Sequence, residues 1–132
     1  MKINIIKIDE KIKILDELID NIENNNYSSE YIGYGISYSK EITRIFDLLN
    51  HKDINKIFIK SLDEYSFDRK KELEKNTDPE KYDLVDCVVY FNFIWHLEGS
   101  GISSGIVNNR IEQGKYLRAL KQFKSLLKEY KK

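Results

Sequence analysis

Cysteine, proline, alanine and histidine are nearly missing from this chain of 132 residues. Cys87, Pro79 and Ala119 each stand alone, and His51 and His96 are the two histidines. One cysteine excludes a disulfide within the chain and fits a reducing compartment, so a cytoplasmic location is expected. Neither Cys87 nor a histidine falls in a ligand spacing such as Cys-x-x-Cys or His-Glu-x-x-His, so no metal and no cofactor is expected. Long apolar runs are lacking too. The longest, Leu84 to Leu97, is too short for a bilayer and carries Asp86, Asn92 and His96, so no membrane partner is expected. The opening MKINIIKIDEKIKIL mixes charges every few residues, which is not the apolar core of a signal peptide. Nor is either charge in excess: 22 basic and 22 acidic residues cancel. Bulk charge therefore gives no attraction to a polyanion, although a local patch could.

What is present is the composition of a globular protein, 41% hydrophobic and 33% charged. The length is that of one domain, 1–132, large enough to bury a core without disulfide or metal staples. Lysine, isoleucine and asparagine are heavily used, as codon bias in a genome poor in G and C would produce. Asn24 to Asn26 and the Asn108–Asn109 pair accordingly carry little functional weight.

Helical periodicity dominates. Ile5, Ile8, Ile12, Leu15, Ile19 and Ile22 recur at spacings of three and four, which predicts a helix over Asp9 to Glu23 with an acidic outer face. YSSEYIGYGISYS, Tyr27 to Ser39, has no such stripe and reads as a loop with a short extended piece. Ser37 or Ser39 can cap a helix carrying Ile42, Ile45, Phe46 and Leu49. Asp53 can cap a short turn with Ile54, Ile57 and Phe58, and a charged helix is expected from about Leu62 to Lys75. Thr77 with Glu80 three residues on reads as a capping box, with Pro79 in the first turn. A helix apolar almost all round should then run from about Pro79 to Glu98, although the β-rich VVYFNFI leaves a strand open. Gly99 and Gly101 can stop it, Ser103 can cap a short helix to Glu112, and Gly114 can end that one. The last helix, Lys115 to Tyr130, has a basic outer face. The fold class is all-α, a compact bundle of five to seven helices around the apolar helix at about 79–98.

Ser100 to Leu127 resembles a bacterial family known as a domain of unknown function. Gly105 matches the family's first glycine, Ile111 to Gly114 its Glu-x-Gly segment, and Leu117, Leu120 and Phe123 the leucine-rich helix behind it. YGISYSKEITRIF looks like the family's tyrosine- and serine-led helix start. The family tends to carry arginine and aspartate where this chain has Gly101 and Ser104, and phenylalanine where it has Ile102. The resemblance implies a fold; it names no reaction, and any activity resting on those polar residues would be missing here.

Catalytic patterns fail one by one. Cys87 lies in the apolar helix with no base beside it in sequence, and a buried cysteine behaves as a small hydrophobe. GISSG is not a Gly-x-Ser-x-Gly elbow, and GSGISSG lacks the lysine of a phosphate loop. One polar constellation stands out. Asn92 and His96 are four apart on one helix face, Ser100, Ser103 and Ser104 follow, and Arg110 lies in the next helix. A helix start behind a Gly/Ser loop suits an anion. The bland alternative is a corner, with Asn92 and His96 satisfying each other or a backbone carbonyl and the serines capping. Tyr27, Tyr31, Tyr34 and Tyr38 form a second candidate, a partner surface, against the alternative that they cover the core edge. The basic last helix suggests nucleic acid, against the alternative that it packs beside the acidic first helix.

Absence of acid–base, metal and nucleophile sets favours a small non-catalytic bacterial or mobile-element module that binds another macromolecule, a protein first. The rival readings are a small-ligand or nucleotide-binding protein, even an enzyme, with a pocket near His96 and Arg110, and a nucleic-acid binder acting through the last helix.

Overall fold

The computed structural model describes residues 4–33 and 35–131. The fold is an all-α bundle with one small hairpin, in the order α1 (Ile8–Glu23), β1 (Ser29–Ile32), β2 (Gly35–Tyr38), α2 (Lys40–Thr43), α3 (Ile45–Leu49), α4 (Lys52–Ser61), α5 (Phe67–Lys75), a 3-10 turn (Pro79–Lys81), α6 (Leu84–Gly99), α7 (Ile106–Glu112) and α8 (Lys115–Lys131). One core cluster draws on all eight helices: Leu15 and Leu18, Ile42, Ile45, Ile54, Leu73, the α6 run, Val107, Leu120 and Phe123.

The apolar segment is a helix and not a strand. Val88 to Phe91 and Ile94 are fully buried, because α6 packs against α4, α5, α7 and α8 at once. A segment surrounded in this way needs apolar residues on every side, and that requirement overrides the β preference of its valines and aromatics.

Its start differs from the expectation. Pro79 to Lys81 form only a 3-10 turn, and the Thr77 hydroxyl donates to the Glu72 carbonyl instead of capping. The capping box is Asp83 with Asp86: Asp83 Oδ1 accepts from Asp86 N at 2.7 Å and Asp86 Oδ2 accepts from Asp83 N at 3.0 Å. The two boxes have the same three-residue spacing, and only the second directly precedes the buried run.

Other boundaries moved for similar reasons. The charged helix begins at Phe67, with the Ser66 hydroxyl accepting from Arg69 N; Leu62 to Glu64 form a turn. Asp53 is inside α4, not ahead of it, and its carboxylate reaches Lys11 and the Ile6 N–H. The helix behind the hairpin breaks at Arg44, so α2 and α3 are two pieces of one helical stretch. Ser37 lies in β2. Ser39 holds the cap position, but its hydroxyl accepts from Ser28 N and so closes the base of the hairpin.

Tyr27 to Ser39, expected to be mostly loop, contains an antiparallel hairpin paired from Ser29–Tyr38 to Ile32–Gly35. Tyrosine and isoleucine suit a pleated strand, and Gly33 takes the positive φ of +61° in the turn. Tyr34 lies outside the described residues.

The last helix packs along α1 more extensively than any other pair of elements does. Lys121 pairs with Glu23 at 3.2 Å, Lys131 with Asp9 at 2.6 Å, and Lys124 with Asp16. The basic and acidic faces that sequence shows at opposite ends of the chain therefore meet. No described helix is long and apolar enough to cross a membrane.

Candidate functional site

The polar constellation read from sequence separates into three places. Arg110 leaves it first. Its Nε donates to the Glu74 carboxylate of α5, and one terminal nitrogen donates to Asn109 and to Gln113. The Glu74 side chain is 2% exposed and that of Arg110 16%, so this is a buried structural pair that pins α7 to α5.

Ser100, Ser103 and Ser104 belong to the link between α6 and α7. Ser100 ends α6, its hydroxyl near the Leu97 carbonyl at 3.4 Å. The Ser103 N–H donates to Leu97 O, and its carbonyl accepts from Ile106 N. Ser103 does not cap α7. Gly105 takes that position with φ +88°, and the capping acceptor comes from elsewhere.

That acceptor is Glu98. Its carboxylate accepts from Gly105 N at 2.7 Å, from Val107 N at 3.2 Å, and from the Tyr38 hydroxyl. Glu98 is only 7% exposed. A carboxylate at a helix start satisfies free N–H groups and meets the positive dipole end, which explains why it tolerates burial. Burial, then the hydrogen bond to Glu98, hold the Tyr38 phenol above its usual pKa, so it stays a donor. Tyr38 in turn accepts from Asn108 N at 3.4 Å, and Asn108 Nδ2 donates to Ser29 Oγ at 2.9 Å. The hairpin is thus tied to α6 and α7 at several points.

Beside these ties lies a groove of about 510 Å³ between the hairpin and the end of α6. Its floor is Trp95, with Tyr38 edge-on at 5.2 Å and Phe46 edge-on at 4.9 Å between ring centroids. The Trp95 N–H donates to the buried Tyr116 hydroxyl at 3.0 Å, which fixes the indole. Ile32 and Ile36 line one wall; Ser100, Gly101 and Ser104 line the other. Tyr31 at 80% exposure, Ile32 at 57% and Ile102 at 64% stand open in the segments that border it. All four β1 residues are exposed. Along β1 a second hollow of about 350 Å³ is lined by Glu30 and Glu112 and by no lysine or arginine.

The tyrosine surface is therefore narrower than expected. Tyr31 is open, Tyr38 supports the groove from within, and Tyr27 packs against the core. Ile32, Phe46, Trp95 and Ile102 are not among the candidate site residues that the sequence offers. Phe46 and Trp95 lie 49 positions apart, and no local pattern announces their contact.

Asn92 and His96 do not satisfy each other. Asn92 Nδ2 donates to the Val88 carbonyl one turn back, and His96 is exposed. Both line a separate hollow against α4 and α5, with Lys70 as the nearby cation in place of Arg110. Cys87 is fully buried, and burial holds its thiol well above the ordinary value, as befits a packing residue. No group of three or more His, Cys, Asp or Glu that could hold a metal occurs among the described residues. Compared with known proteins, the chain matches no family model, no curated protein and no solved structure.

Proposed function

We propose that the protein is a non-catalytic interaction module that binds another protein, holding an extended segment of it along the hairpin. The observation that carries this reading is the exposed strand β1 beside an apolar groove floored by Trp95. An open strand edge offers unpaired backbone groups to a further strand, and flanking hollows can take alternate side chains of that strand. Tyrosine, tryptophan and isoleucine in a fixed arrangement supply contact area with little ordering cost. Glu30 and Glu112 favour a segment with a basic residue next to its apolar anchor.

The test is selection from a library of ten-residue peptides, followed by amide shift mapping of the enriched sequences. Binders should be β-prone with a lysine or arginine near an apolar residue, and should shift β1 and the α6–α7 link. Ile32→Asp should weaken them at least tenfold, about 1.4 kcal/mol, with little change in melting temperature. Shifts confined to another surface, or an Ile32→Asp variant that binds as before, would remove the proposal. The nucleic-acid reading has less support, because Lys121, Lys124 and Lys131 are engaged by acids of α1.

A further inference from the structure

We infer that the hollow bounded by α4, α5 and α6 binds a small amphiphilic carboxylate, with an apolar tail between Phe58, Leu62 and Phe93 and its charge toward Lys70 and His96. This site shares no lining residue with the groove beside the hairpin.

The α6 sequence makes the site two-faced. Val89, Asn92, Phe93 and His96 follow the i, i+3, i+4, i+7 rule and so form one stripe. Such a stripe is normally apolar and sealed by a neighbouring helix. Here two of its four positions are polar, and the stripe is left partly uncovered. Phe58 and Leu62 at the end of α4 give the opposite apolar wall, and Leu62 is 50% exposed. Phe67 at the start of α5 lies edge-on to Phe93 at 5.8 Å, so the aromatic wall is held in place.

The polar groups select the charge. Lys70 and His96 are the ionisable residues of the lining, and no Asp or Glu joins them. In a chain with 22 acids against 22 bases, a lining free of carboxylates is a local positive site. Lys11, Lys115, Lys121, Lys124, Lys131, Arg44, Arg110 and Arg118 all hold a carboxylate or a carbonyl. Among the described residues neither the Lys70 ammonium nor the His96 ring has such a partner. Asn92 is neutral and spends one of its two amide N–H donors on Val88 O, so the charge that meets an anion comes from the other two.

Size and charge narrow the class. The hollow holds about 240 Å³, below the roughly 300–1,000 Å³ of sites for drug-sized ligands. A monocyclic aromatic acid or a short-chain fatty acid fits; a nucleotide does not. One ammonium and one imidazole balance a monoanion better than a phosphate dianion.

The experiment is an amide shift titration of the full chain at pH 7 and physiological salt. Phenylacetate and hexanoate are the two acid arms, and phenylacetamide and hexanamide are their neutral controls. Saturable shifts at Val89, Asn92, Phe93 and His96, with either acid at least tenfold tighter than its amide, support the site. A preference between the two acids tells an aromatic from an aliphatic ligand. Lys70→Gln should remove the preference for acid over amide, and His96→Gln should reduce it, both with an otherwise unchanged spectrum. Leu62→Glu, on an exposed position, should repel the acids without touching either donor. Equal binding of acid and amide, a preference that survives Lys70→Gln, shifts scattered over the surface, or no saturation at millimolar acid would each overturn the proposal. Any of these results leaves the peptide-binding reading standing, since that rests on other residues.

Discussion

The Tyr38 hydroxyl donates to the Glu98 carboxylate across sixty residues of chain, and the same carboxylate caps α7 through Gly105 N and Val107 N. One side chain thus joins the hairpin, the end of the central helix and the start of the next. The first prediction follows from that junction. Glu98→Ala should cost about 2–3 kcal/mol, because it leaves a phenol and two backbone donors short of an acceptor. Tyr38→Phe alone should cost about 1 kcal/mol. The double variant should cost less than the sum of the two, as a double-mutant cycle in urea would show.

Arg110 is structural, so its loss should show in stability. Arg110→Ala strands the buried Glu74 carboxylate without its cation. The expected cost is about 3 kcal/mol, several degrees in melting temperature. Replacing both, as Glu74→Gln with Arg110→Met, should cost less than Arg110→Ala alone. A melting temperature unchanged in Arg110→Ala would contradict the pairing.

Acid stability should depend on Asp53. Its burial opposes ionisation, but the Ile6 N–H and the buried Lys11 outweigh this and hold the carboxyl below its ordinary 3.8. A depressed folded-state pKa contributes stability that is present above the unfolded value and lost as pH falls through the folded one. Urea denaturation between pH 6 and pH 2 should therefore show a fall in stability below about pH 4 that is smaller in Asp53→Asn. The variant should also be weaker at pH 6, where it leaves Lys11 without its anion.

Tyr90 offers the opposite case. Its hydroxyl is buried in the aromatic core and has no hydrogen-bond partner among the described residues. Tyr90→Phe keeps the ring contacts with Tyr82 and Phe91 and removes the unsatisfied group. The variant should be as stable as the parent or more stable, by up to about 1 kcal/mol. A clear loss in melting temperature would show that the hydroxyl is satisfied.

Much of the helical frame was legible in the chain. The stripe of Ile8 to Ile22, the all-round apolar run of α6 and the left-handed Gly114 each report a local requirement, so α1, the body and end of α6 and the α7–α8 corner stand where the pattern puts them, while the start of α6 does not. Thr77–Glu80 and Asp83–Asp86 show the limit. Both satisfy the spacing of a capping box, and only the register of the buried run chooses between them. Ser103 shows it again: a serine ahead of a helix is the ordinary cap, but the Glu98 carboxylate, seven residues before Gly105, caps the helix instead.

The candidate sites were decided by tertiary structure. The sequence by itself determined that the protein is helical, that its last helix is basic and its first acidic, and that Asn92 and His96 share a face, because these depend on neighbours within two turns. Whether Arg110 faced His96 or Glu74, whether Trp95 met Phe46, and whether the basic face stayed free or met α1 depended on how distant elements pack. Side chains far apart in sequence are brought together by burial of the common core, and no local spacing records that choice.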